Sequence, residues 1–142
     1  EFSQPFWGDL IAQHVYFTVV SNDPQSEPRK LVTLLNGFGF KTVTKPLQMQ
    51  PGPSGRMIPN NMNQEIIAEG LRAIKDPDVQ NVVLVGGESD FVGLARTVAS
   101  VGKHMTVVST KVTRPFWMVD PALLNATSRF VDFVDLEKSI KK

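Results

Sequence analysis

Short runs rich in β-branched and aromatic residues, "HVYFTVV", "FKTVTKPL", "NVVLVGG", "HMTVVST" and "RFVDFVD", alternate with stretches whose apolar residues recur every three or four positions. This alternation constrains the chain more than any other feature. Strands joined through helices lie parallel, and a parallel sheet must be covered by those same helices. The expected fold is therefore a three-layer α/β/α domain with a mostly parallel sheet, formed as a single domain over residues 1–142. Within it, "NVVLVGG" is the kind of continuous apolar run that is buried on both faces of such a sheet. A chain of 142 residues is long enough to bury roughly two-thirds of the surface that it exposes when unfolded.

Helix boundaries follow from periodicity and punctuation. Leu31, Leu34, Leu35 and Phe38 form one stripe after Ser26, a possible N-cap, with Gly37 and Gly39 as a stop. Ile66, Ile67, Leu71 and Ile74 mark a second helix that ends before Asp76-Pro77, and Phe91, Leu94, Ala95 and Val98 a third that ends at Gly102. "RPFWMVDPALLNA" reads as irregular or helical. In "QMQPGPSGRMIPNN", Pro51, Pro53 and Pro59 with Gly52 and Gly55 continue neither kind of element, so a long loop is expected there, a candidate substrate-side flap.

Composition narrows the function classes. With 15 Lys+Arg against 14 Asp+Glu the net charge is +1, too balanced to identify a nucleic-acid partner by bulk charge, although a local basic patch is compatible with it. Zero cysteines exclude a disulfide framework, a thiolate zinc site and a cysteine nucleophile. No apolar run reaches the ~18 residues of a membrane span, and "EFSQPFWGDL" lacks the regions of a signal peptide. A cytoplasmic protein is expected. The start at Glu1-Phe2, without methionine, suggests a beginning inside a longer gene.

The chemistry concentrates at Glu88, Ser89 and Asp90, just beyond "NVVLVGG" and before the third helix. Ligands of open parallel sheets bind beyond the carboxyl ends of the strands, where loops enter helices. Two carboxylates at one point repel each other, and a hard divalent cation, Mg²⁺ or Mn²⁺, relieves them through oxygen ligands. Such an ion supports phosphodiester hydrolysis. The competing reading is structural: Glu88 or Ser89 caps the helix, and the acids favour its positive end. Spacing alone leaves both open. Ser89 lacks an evident base for covalent catalysis, and Gly86-Gly87 is not a complete dinucleotide-binding motif.

"LVGGESDFVGLARTVASVGKHMTVVS" resembles the signature of NYN domains, the LabA-like branch of the PIN-like nuclease superfamily, in which "SGDSDF" stands at the corresponding place. "DPQSEPRKLVTLLNGFGFKTVTKPL", "NQEIIAEGLRAI" and "SRFVDFVDLEKSI" are similar to further segments of that family, so the likeness runs from His14 onward. It implies a PIN-like fold and a metal-dependent ribonuclease acting on single-stranded or structured RNA, with acidic residues gathered at the carboxyl edge of the sheet. By position, Asp90 matches the second Asp of that motif and Glu88 replaces the first. Where the family has "VDVD", this chain has Met62, Asn63, Gln64 and Glu65, so Asn63 loses a charge and Glu65 retains one. Glu69 matches a further acidic position one turn along. The family's first strand, with its Asp and Asn, has no counterpart in the first thirteen residues, where Asp9 is the nearest acid. A sheet without that strand exposes apolar edges, which points to a homo-oligomer or a strand-swapped dimer.

The resemblance thus implies Asp90, Glu88, Glu65 and Asn63 as catalytic residues, the three acids as metal ligands, and Arg56, Lys45, Lys41 and Ser89 as substrate-binding residues. The basic side chains, near the proposed flap, suit phosphate oxygens, and equally suit a solvated surface. Trp7, Phe116 and Trp117 suit base stacking or a core. His14 and His104 open predicted strands without a partner at ligand spacing. Two functions remain open: an endoribonuclease, or a degenerate relative that keeps the fold for RNA binding or protein assembly.

Overall fold

A computed structural model describes residues 13–111 and 119–135 and divides the chain at Met62/Asn63 into two compact units. In the first, β1 (Val15–Val20), α1 (Glu27–Gly37) and β2 (Lys41–Pro46) make a strand–helix–strand unit. Its strands pair in parallel, from Val15 opposite Lys41 to Val20 opposite Pro46. Ser26 occupies the N-cap position of α1, but its hydroxyl makes no cap bond and is buried without a partner. Pro28, with its preset φ, and Glu27 in the first turn do that work instead. Gly39, at φ +89°, turns the chain out of the helix into β2. The α1 stripe is less buried than its periodicity predicts: Leu34 is 55% and Phe38 73% exposed. The His14 ring lies beside that of Phe40 at a centroid distance of 5.1 Å.

The segment expected as a long loop is an antiparallel hairpin, β3 (Met49–Pro51) and β4 (Met57–Pro59), paired Met49 to Pro59 and Pro51 to Met57. The prolines are tolerated because the ribbon has two edges, so a missing N–H can face away from the partner strand. Pro51 and Pro59 end their strands and Pro53 falls in the turn, which Gly52 N–H closes onto the Arg56 carbonyl at 2.7 Å. Gly55 at φ +81° completes it.

The second unit carries α2 (Asn63–Ala73), β5 (Asn81–Val85), a 3₁₀ turn (Ser89–Phe91), α3 (Val92–Ser100), β6 (His104–Ser109), α4 (Pro121–Ala126) and β7 (Arg129–Asp132). Its sheet is parallel throughout, in the order β5-β6-β7. The mixed α/β class and predominantly parallel pairing expected from the sequence hold. The core gathers Leu84 of β5, Met105 and Val107 of β6, Phe91, and Leu94, Ala95 and Val98 of α3, with Ile74, Val119 and Leu123. β5 is not buried on both faces, however. Leu84 is 6% exposed, whereas Val83 is 63% and Val85 66% exposed. β5 is an edge strand of this sheet, and the core forms on the Leu84 face alone. "RPFWMVDPALLNA" resolves into α4 at its end, while Trp7, Asp9, Phe116 and Trp117 lie outside the described residues. His104 is exposed at the start of β6. No helix among the described residues is long and apolar enough to cross a membrane.

α2 approaches α3 closely at Gly70, where a Cβ would lie 3.0 Å from both terminal methyls of Leu94. Leu94 is 3% exposed. Leu94→Ala is expected to lower unfolding free energy by about 2–5 kcal/mol, read from urea denaturation. A loss below about 1 kcal/mol would contradict this packing.

Candidate functional site

The three parallel strands of the second unit finish together, Val85 beside Val108 and Ser109 beside Asp132, so their carboxyl ends form one edge. Gly86 N–H extends the ladder to the Val108 carbonyl at 3.1 Å. Gly87 comes next, and it has no room for a side chain. A Cβ there would fall 2.6 Å from Ser109 Oγ and 2.9 Å from Val119 Cα. This approach lets Asp120 N–H donate to the Gly87 carbonyl at 2.7 Å, while Val119 N–H donates to Thr110 O at 2.7 Å. Glu88 then adopts extended backbone and the 3₁₀ turn begins, anchored by Phe91, which is 2% exposed.

The turn presents Glu88 and Asp90 to the start of α2. Asn63 Nδ2 donates to Glu88 Oε2 at 2.8 Å and to Asp90 Oδ2 at 2.9 Å. An amide NH₂ has two hydrogens, so one side chain satisfies two carboxylates from segments 25 and 27 residues away. Asn63 itself is 5% exposed. Neither Glu88 nor Ser89 caps the following helix: at Glu88, the cap position of the 3₁₀ turn, no side-chain cap bond forms, and its carboxylate goes to Asn63. Among the described residues neither Glu88 nor Asp90 pairs with a lysine or arginine.

Other expected residues fall elsewhere. Ser89 opens the 3₁₀ turn and lines the cleft. Glu65 lies in the first turn of α2, but among the described residues no three His, Cys, Asp or Glu side chains gather to hold a metal ion, so Glu65 does not complete a set of three with Glu88 and Asp90 here. Glu69 is taken up by an ion pair with Arg72, one turn along α2. Lys41 and Lys45 belong to β2 and Arg56 to the hairpin turn, all in the first unit.

Glu88, Ser89 and Asp90 line a cleft of about 620 Å³ whose other walls include Ser109, Asp120 and Phe133. Sequence reading missed these last three. Ser109 was within reach of it, because the rule placing ligands at the carboxyl ends of strands applies to "HMTVVST" as well as to "NVVLVGG". Asp120 carries the helix-start signal of Asp before Pro, and its Oδ1 accepts from Ala122 N–H at 2.8 Å. Phe133 is held by its neighbour Asp132, whose carboxylate accepts from Val134 N–H at 2.9 Å and Lys111 N–H at 3.0 Å. These bonds, Val134 first, hold the Asp132 carboxyl below its usual range. The stabilisation is present above the ordinary carboxylate pKa and is lost as pH falls through the lowered value.

Gly87→Ala is expected to cost about 1–3 kcal/mol in urea unfolding, because the Val119 backbone cannot yield as a flexible side chain would. Adding Ser109→Ala relieves only part of it, and full recovery in the double variant would remove Val119 from the argument. Asn63→Ala is expected to cost about 1–3 kcal/mol in metal-free buffer. Asn63→Asp should cost more, since it adds a third carboxylate, and Mn²⁺ should restore it in thermal unfolding. Equal stability of Asn63→Asp with and without Mn²⁺ would show that this pair does not bind the ion.

The sequence is 28% identical over 132 residues to the "Low amplitude and bright protein LabA" of Synechococcus elongatus, covering 91% of this chain and 67% of that protein. No solved structure matches it. The NYN domain family matches residues 7–137, which takes in both units and the Glu88–Asp90 turn. With acidic residues collected at the carboxyl edge of a parallel sheet and a family match across nearly its whole length, the chain belongs to the NYN domain family, within the PIN-like nuclease superfamily.

Proposed function

We propose that this chain is a metal-dependent endoribonuclease that hydrolyses RNA phosphodiesters at the cleft beside Glu88 and Asp90. The observation that carries the reading is the convergence of these two carboxylates on Asn63 at the edge of the sheet, in a chain of the NYN family. The donor set fits a hard divalent cation. Each carboxylate has a second oxygen beyond the one bonded to Asn63. Glu88 and Asp90 would hold Mg²⁺ or Mn²⁺, with Glu65 assisting through water. When bound, such an ion acidifies water and polarises the phosphodiester.

The chain's own groups have separate tasks. Asn63 fixes the spacing of the two acids, so that their mutual repulsion does not splay them. Ser89 contacts the substrate at the cleft, and Lys41, Lys45 and Arg56 attract the RNA backbone. The protein acts in the cytoplasm. Its homo-oligomer or strand-swapped dimer would form by strand pairing at the outer edge of β5.

A second reading, a degenerate NYN module that binds RNA or assembles with protein, is favoured by one specific observation. The group between the carboxylates is an NH₂ donor that already bonds to both. One experiment separates the two. Under the nuclease reading, Mn²⁺-dependent cleavage of RNA is expected from the parent, and Asp90→Ala should lower it by more than about 100-fold, beyond the range for losing an outer-sphere partner. Equal cleavage by both proteins removes Asp90 from the mechanism. Salt-sensitive RNA binding with no cleavage by the parent selects the second reading.

A further inference from the structure

The cleft has a second polar end, formed by residues that the hydrolytic reading leaves unused. Ser109 is 3% exposed, and its hydroxyl lines the cleft without a hydrogen-bond partner on the protein among the described residues. Asp120 meets the same residue, Gly87: its N–H bonds the Gly87 carbonyl, and the site of the missing Gly87 Cβ is 2.6 Å from Ser109 Oγ. One Asp120 oxygen accepts from Ala122 N–H, which leaves the carboxylate with lone pairs to spare. Ser109 is buried but its Oγ reaches the cleft, where water or a ligand can complete its hydrogen bonds.

Charge decides which part of a nucleotide suits this end. Asp120, Glu88 and Asp90 line the same cleft, so a phosphate placed against Asp120 would be repelled. A neutral hydroxyl is complementary: it donates to the Asp120 carboxylate and accepts from Ser109 Oγ–H. In a nucleic acid chain the group that both donates and accepts in this way, and that distinguishes RNA from DNA, is the ribose 2′-hydroxyl. Phe133 lines the cleft too, 44% exposed, and offers a face on which a base can stack. A volume of about 620 Å³ lies within the range of small-molecule sites and accommodates a nucleoside.

We infer that Ser109 and Asp120 form a sugar-recognition subsite that reads the 2′-hydroxyl and selects RNA over DNA. The inference rests on the ribonuclease reading and names the specificity of the same cleft. Its test is fluorescence-anisotropy binding of one short single-stranded oligonucleotide, made as RNA, as DNA and with 2′-O-methyl riboses, to the full chain with Ca²⁺ present. RNA is expected to bind about tenfold more tightly than DNA. The 2′-O-methyl form, which has lost the donor hydrogen, should fall to the DNA level or below. Ser109→Ala and Asp120→Asn should each bring the RNA-to-DNA ratio close to one. Asparagine is also a good N-cap, so α4 is retained in the second variant.

Equal binding of RNA and DNA by the parent, or an RNA preference that survives both substitutions, overturns the subsite and leaves the nuclease reading standing. Binding of neither polymer overturns both. The 2′-O-methyl comparison needs no variant, so tight binding of that form by the parent counts against the subsite whatever the substitutions do to folding.

Discussion

At the end of β5 the chain passes between Ser109 Oγ and Val119 Cα with space for a hydrogen but not for a methyl group. Much of the edge depends on that passage. Because Gly87 fits, Asp120 N–H can reach its carbonyl, and the end of β5 is tied to the start of α4. The direction of the chain after Gly87 sends Glu88 and Asp90 into a short turn pinned by Phe91, and only from this turn do both acids reach the same amide. A backbone constraint at one residue thereby helps to position Glu88, Asp90 and Asp120 in the cleft.

Asn63 has an unusual double relation to the acids. Its NH₂ group neutralises part of their repulsion by hydrogen bonding, as a cation would do through charge, but with far less energy, because each such bond contributes only about 1.5–3 kcal/mol. An acid at that position would strengthen the demand for a metal. An amide instead lets the pair stand without one. The nuclease and degenerate readings therefore differ less in architecture than in what occupies the space around three side chains.

β5 shows how tertiary context revises a pattern that is correct locally. "NVVLV" has the continuous apolar composition of a strand buried on both faces, yet its burial alternates, because Leu84 meets the helices while Val83 and Val85 do not. The hairpin of β3 and β4 errs in the other direction. Three prolines argue against regular structure, but in a ribbon of two strands their missing donors fall at strand ends and in the turn. α1 follows the same lesson at its start, where Ser26 has the right residue type for a cap and the wrong geometry to make the bond.

What the sequence determined by itself was local or periodic: the order of strands and helices, the stop at Gly39, the acids just past an apolar strand, and the family likeness of the segment around them. Those features are carried by neighbours within a turn or a strand, so spacing along the chain preserves them. The tertiary structure alone decided that Asn63 faces Glu88 and Asp90, that Glu65 does not complete their set, and that Ser109 opens beside Asp120. The Asn63 contacts, for example, are made at 2.8 and 2.9 Å with side chains 25 and 27 positions away. Helix and sheet packing sets such distances, and residue order does not encode them directly.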